Sequence, residues 1–150
     1  LIEQWINDLS EVDSDIDMPL CPYAKPAWDQ GRVRVVEASG SQTFWRAVLK
    51  SINLVNEDCD VVMALSNNYD GSYEDLEQAA EHLNDFFFAA RLDLWALSHL
   101  DDGAVIFLQK LTELDNSAAK LEKLGYYSHY SPCDYERLIA KRRQRRHCYG

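Results

Sequence analysis

No stretch of this chain approaches the roughly 20 consecutive apolar residues needed to cross a bilayer. The familiar catalytic signatures are also missing: there is no G-x-S-x-G elbow, no P-loop, no H-E-x-x-H pair and no dinucleotide fingerprint. Their absence removes the most recognisable hydrolases, nucleotidases, zinc proteases and Rossmann enzymes. Cysteine is sparse and dispersed. Cys21, Cys59, Cys133 and Cys148 include no C-x-x-C pair, which argues against a zinc ribbon or a local dithiol site and fits free thiols in a reducing compartment. The N-terminus lacks the basic and apolar regions of a secretory signal, so a cytoplasmic location without membrane attachment is expected. Basic residues are scarce except at one end. From Asp134 onward there are six Lys/Arg against two Asp/Glu, leaving nine against 23 in the rest. An acidic body of this kind repels phosphate backbones.

What is present fits an ordinary domain. A chain of 150 residues, 47% hydrophobic with four tryptophans, can bury roughly 70% of its unfolded surface. Leu1, Ile2, Trp5, Ile6, Leu9 and Val12 recur at helical spacing. The next stretch carries Pro19, Pro22 and Pro26 and is expected to hold neither helix nor central strand. Arg32 to Ala38 then reads as a β-branched strand, and Phe44, Trp45, Val48, Leu49, Ile52 and Val55 as the buried stripe of a helix. The apolar run Asp60–Ser66 suits a central strand parallel to the first.

Ser72 with Asp75 is a capping pair, opening a helix that would bury Leu76, Ala79, Ala80, Leu83, Phe86, Phe87 and Ala90. Leu92 to Ser98 and Ala104 to Gln109 flank Asp101-Asp102-Gly103 as a hairpin. A further helix turns Leu114, Ala118, Leu121 and Leu124 inward and stops at Gly125. The last begins at Ser131-Pro132. The expectation is a single α/β (or α+β) domain over 1–150, order αβαβαββαα, with helices packed on a mixed sheet of about four strands. Residues 141–150 form its basic C-terminal tail.

The stretch Leu20-Cys21-Pro22-Tyr23-Ala24-Lys25-Pro26-Ala27-Trp28 joins a thiol to strong backbone constraint. Cys21 has Lys25 four residues on, a cation able to favour thiolate if the side chain folds back. Cys133 opens a helix, where free N–H groups favour a thiolate, and Cys59 reads as a small buried hydrophobe. Cys21, Cys133 and His129 are therefore the candidate catalytic residues, as nucleophile or redox thiol, resolving thiol and base. Cys21, His99, His129 and Cys133 would be the metal candidates if their loops converged, although no cofactor is required by the sequence. Asn67, Asn68, Tyr69 and Asp70 follow a strand, where open α/β sheets bind ligands, but an ordinary turn is the simpler reading.

Trp5, the segment Cys21-Pro22-Tyr23-Ala24-Lys25, the strand Arg32-Val33-Arg34-Val35-Val36 and the late pair Ser131-Pro132 with Arg137-Leu138 together resemble the DUF1415-like bacterial proteins. Similar small proteins occur in marine cyanophages, which would place this one in the host cytoplasm. That family has no established reaction, so the resemblance implies a fold more than an activity.

The preferred reading is a non-catalytic interaction or accessory protein whose partner is another protein. Its contact residues would be Tyr23, Lys25 and Trp28, with Arg142, Arg143, Arg145 and Arg146 as a second surface. The alternative is a thiol- or metal-dependent enzyme using Cys21. A second alternative is nucleic-acid contact through the basic tail, although a tail that is solvated or neutralised by its own acidic body is preferred.

Overall fold

The computed structural model describes residues 2–9, 11–13, 18–19, 23–38, 41–100 and 102–147. The chain divides into two compact units, Ala27–Leu111 and Leu1–Pro26 with Thr112–Gly150.

The chain begins with helix α1 (Ile2–Leu9), which buries Ile6. Strands β1 (Val12–Asp13) and β2 (Met18–Pro19) follow and pair antiparallel, with Val12 opposite Pro19. The α1 periodicity thus overshoots, since Val12 belongs to a strand. The proline-rich stretch also departs from expectation, for Ala24–Asp29 is a helix, α2. Pro26 is its third residue, in the first turn, where backbone N–H groups have no intrahelical acceptor and a missing one costs nothing. Pro19 sits in a two-residue pairing, the kind of marginal strand that tolerates a missing donor.

The unit Ala27–Leu111 is built on four strands, β3 (Val33–Ala38), β4 (Val61–Ser66), β5 (Trp95–Leu100) and β6 (Ala104–Gln109). Their spatial order is β3-β4-β6-β5. β3 and β4 are parallel, as helix α3 (Ser41–Ser51) between them allows, and the other two pairings are antiparallel. This is the mixed four-stranded α/β sheet that the pattern of apolar runs predicts. Arg32 clamps the start of the parallel pair: its Nε and Nη2 donate to the two Asp60 carboxylate oxygens, each at 2.7 Å.

One sheet face presents Ala64, Ala96, Ala104, Ile106 and Leu108. Phe44, Ala47 and Val48 of α3 pack there with Leu76, Ala80 and Phe87 of α4 (Tyr73–Ala89). The small strand residues Ala64, Ala96 and Ala104 leave room for the large side chains Phe44, Leu76 and Phe87 of the helices. Met63, Leu65, Trp95 and Val105 lie at the alternate positions and are buried too, which is why β4 reads as a continuous apolar run. Gly103 closes the hairpin against the end of β4. A Cβ there would come within 2.9 Å of the Ser66 carbonyl oxygen.

Two predicted stripes are too generous. Leu49 and Phe86 lie at the edge of the buried arc of their helices and are exposed. The strand predicted from Leu92 starts at Trp95, because the α4 terminus continues as a turn in which Arg91 has φ 57° and the Leu92 N–H donates to the Phe87 carbonyl.

The other unit closes the chain. Helix α5 (Leu111–Lys123) ends at Gly125, whose φ of 78° favours a residue without a side chain. A 3-10 turn, Tyr126–His129, leads to α6 (Pro132–Tyr135). Ser131 caps α6 by accepting the Asp134 N–H, as its sequence predicts. A π-helical turn, Glu136–Ala140, then passes into α7 (Lys141–His147), so the basic stretch is helical. Just past the end of α5, Leu124 is exposed where an inward position was expected, and Asp115 within α5 is buried.

Candidate functional site

Cys21 lies outside the described residues, as does Cys148, and the side chains of Arg145 and Arg146 are not described. Tyr23 precedes α2 and is 42% exposed, Lys25 is exposed, and Trp28 is half-buried. None of the α2 residues is fully buried. His99 is exposed on the edge strand β5, in the unit Ala27–Leu111.

His129, ending the 3-10 turn after α5, and Cys133, in the first turn of α6, are both exposed, and neither hydrogen-bonds to the other. A nucleophile and base working together would need that contact or a close approach to it. Among the described residues no group of three or more His, Cys, Asp or Glu side chains is placed to hold a metal ion. Cys59 has no accessible surface, its thiol donates to the Val61 carbonyl at 3.4 Å, and burial pushes its pKa above the ordinary 9.0. It is the inert core thiol that its position predicts.

The loop after β4 is an ordinary turn. Tyr69 packs edge-on against Phe44 and Trp45, and the Ser72 hydroxyl accepts the Asp75 N–H at the α4 N-terminus. Glu74 and Asp75 in the first turn make that terminus repel a bound anion.

The polar cluster with the most defined geometry joins α5 to α6, the π turn and α7. Arg142 Nε donates to Asp115 Oδ1 at 2.7 Å, with the two side chains only 4% and 10% exposed. Arg142 Nη1 reaches the Leu138 carbonyl at 3.3 Å. Arg143 Nη2 lies 2.9 Å from Glu122, and its Nη1 donates to the Tyr135 hydroxyl, which itself donates to Glu122 at 2.8 Å. The π turn sets this alignment. In an unbroken α-helix, residues eight apart differ in direction by about 80°, and one extra residue in the helix reduces that to about 20°. Arg143 therefore stands over Tyr135, and both reach Glu122.

Tyr127 sits beside this cluster with its ring edge-on to Tyr126, Tyr130 and Tyr135 at centroid distances of 5.2, 5.0 and 6.1 Å. Sequence reasoning missed Asp115 and the tyrosine hub. The available signals were an acid inside an otherwise apolar α5 stripe and four tyrosines in ten residues.

Arg142 and Arg143 are thus occupied by acids of their own unit, the neutralisation that the acidic composition favours. A buried Arg142 cannot meet a phosphate without leaving Asp115. Electrostatics in the exposed triad act at both ends of the pH scale. The hydrogen bond from Arg143, reinforced by that from Tyr135, holds the Glu122 carboxyl below its ordinary value of 4.5. The hydrogen bond to Glu122, then burial, raises the Tyr135 phenol above 10.0.

The depressed carboxyl stabilises the fold above its unfolded pKa, and that contribution is lost as pH falls through the folded value. The raised phenol stabilises below pH 10.0, and its contribution is lost as pH rises through its folded pKa. Glu122→Gln should remove the acid-side part. The effect is expected to stay below about 1 kcal/mol because the pair is solvent-screened. Thermal melts of wild type and variant from about pH 3 to 8, across the ordinary carboxylate range, would test this; curves that stay parallel through the acid limb would refute it.

No family model, no curated protein and no solved structure matches the chain. No helix among the described residues is long and apolar enough to cross a membrane.

Proposed function

We propose that this protein is a non-catalytic interaction module that binds another protein, with Tyr23, Lys25 and Trp28 forming one contact surface. The carrying observation is that α2 contributes no fully buried residue, with Tyr23 exposed just before it and Trp28 only half-buried within it. An ordered helix that adds little to a core but presents aromatics has the makings of an interface anchor, because few rotamers are frozen on binding. This reading needs no cofactor. It places the protein in the cytoplasm, the host's if phage-encoded, and retains the resemblance of the Cys21–Lys25 segment to the DUF1415-like proteins.

Nucleic-acid contact through α7 has less support, since two of its arginines are engaged by Asp115 and Glu122. Trp28→Ala is the test. Loss of about 2 kcal/mol or more in affinity for a captured partner is expected, with an unchanged thermal midpoint. A lowered midpoint would mark Trp28 as a packing residue, and unchanged affinity would move the interface elsewhere.

A further inference from the structure

A separate surface lies over the core of the unit Ala27–Leu111 and does not involve α2. On α3, Trp45 and Leu49 lie on one flank, continued by Ile52 in the 3-10 turn Ile52–Leu54 that follows, and Trp45 meets Tyr69 of the connection to α4. On α4, Asn84 faces the outer edge of β5, donating to the Ala96 carbonyl and accepting the Ala96 N–H. Phe86 lies on the opposite flank of that helix, with Leu83, and so toward α3. Trp45, Ile52 and Leu83 all pack on the same core cluster. The valley between the helices therefore has an apolar floor and two exposed apolar rims, Leu49 at 60% and Phe86 at 55%.

The two helices carry opposite charge. α3 has Arg46 and Lys50 on its exposed side and no acid. Neither cation forms an ion pair among the described residues. α4 has Glu74, Asp75, Glu77, Glu81 and Asp85 and no Lys or Arg. A basic ridge thus runs beside an acidic ridge, with one exposed apolar side chain on each.

We propose that this face binds a second copy of the same chain, forming a twofold dimer in which α3 of each copy lies on α4 of the other. A twofold axis running along the valley exchanges the two ridges. It sets Arg46 and Lys50 against the partner's acidic helix twice over and brings the Leu49 and Phe86 rims together. A partner of one charge sign would meet repulsion from one of the ridges, whereas the chain's own face is complementary to itself.

Sedimentation of the full chain over a concentration series, at low and high salt, tests the proposal. The expected result is a monomer–dimer equilibrium weakened by salt. Leu49→Glu and Phe86→Glu, both at exposed positions, should each leave only monomer with circular dichroism unchanged. Arg46→Glu and Asp85→Arg should each weaken the dimer, and together restore it. A monomer at the highest concentration reached would overturn the proposal. So would a dimer indifferent to salt and to all of these variants. Trp28→Ala should not affect the dimer, so this surface and the α2 surface fail or stand separately.

Discussion

Replacing Asp115 with alanine is expected to destabilise the protein by about 3–5 kcal/mol. The change removes the carboxylate that faces Arg142 Nε at 2.7 Å and leaves a guanidinium with only 4% of its side chain exposed. The remaining Arg142 contact, to the Leu138 carbonyl at 3.3 Å, carries no compensating charge. Desolvation of the cation is then unopposed, and a loss of this size is a large part of the roughly 5–15 kcal/mol that holds an ordinary domain together.

Removing both partners is a different experiment. Arg142→Met with Asp115→Leu replaces two desolvated charges by apolar groups of similar length. Such swaps are often neutral or stabilising by about 1–4 kcal/mol. The stabilising side is favoured here, because Arg142 Nη2 is buried and has no hydrogen-bond partner among the described residues. Denaturant unfolding of the two single variants and the double variant would decide. An unchanged midpoint in Asp115→Ala would mean that the pair is not formed in solution.

The second large effect is expected at Asn84, where alanine should cost about 1–3 kcal/mol for each of two buried backbone groups left unsatisfied. The Asn84 amide accepts the Ala96 N–H at 2.7 Å and donates to the Ala96 carbonyl at 3.0 Å. It does for β5 what another strand would do. β5 is an edge strand whose only strand neighbour among the described residues is β6, and Ala96 turns its N–H and C=O away from that neighbour. A side-chain amide copies both halves of a peptide group, so one residue closes two ladder positions.

Asn84→Asp is expected to be as damaging, because the carboxylate still accepts the N–H but faces the Ala96 carbonyl without a proton to donate. Hydrogen exchange at the Ala96 amide is the direct readout. It should accelerate in both variants well beyond the change in global stability, and protection equal to wild type would sink the assignment. The uncovered edge is also the site at which the variant should begin to associate through strand pairing.

Both effects rest on residues that their local sequence does not single out. Asp115 lies within an amphipathic helix whose apolar stripe names Leu114, Ala118 and Leu121, and Asn84 sits one residue from Leu83 in another. Periodicity assigns a polar residue on such a stripe to solvent. The partners that overturn this are 27 residues away for Asp115 and 12 for Asn84. Features stated by neighbouring residues were legible. Ser72 caps α4 through the Asp75 N–H at 3.1 Å, and Ser131 does the same for α6 through Asp134. The apolar run through β4 also stands as expected, as do the parallel pairing of β3 with β4 and the hairpin of β5 with β6.

The candidate surface was legible as residue types and not as geometry. Tyr23, Lys25 and Trp28 read as an aromatic and basic stretch interrupted by Pro26. Its helical form was hidden because Pro26 forbids a helix interior but not a first turn.

The sequence by itself determined the type and order of the elements from β3 to α6 and which of them carry apolar faces. Caps, prolines, glycines and periodicity act over one or two turns of chain, so neighbouring residues suffice to state them. Tertiary structure alone decided that β6 lies between β4 and β5, that Leu49, Phe86 and Leu124 stay at the surface, and that Arg142 finds Asp115. Those outcomes depend on which elements meet across long separations, and burial is a property of the neighbour supplied, not of the side chain that seeks one.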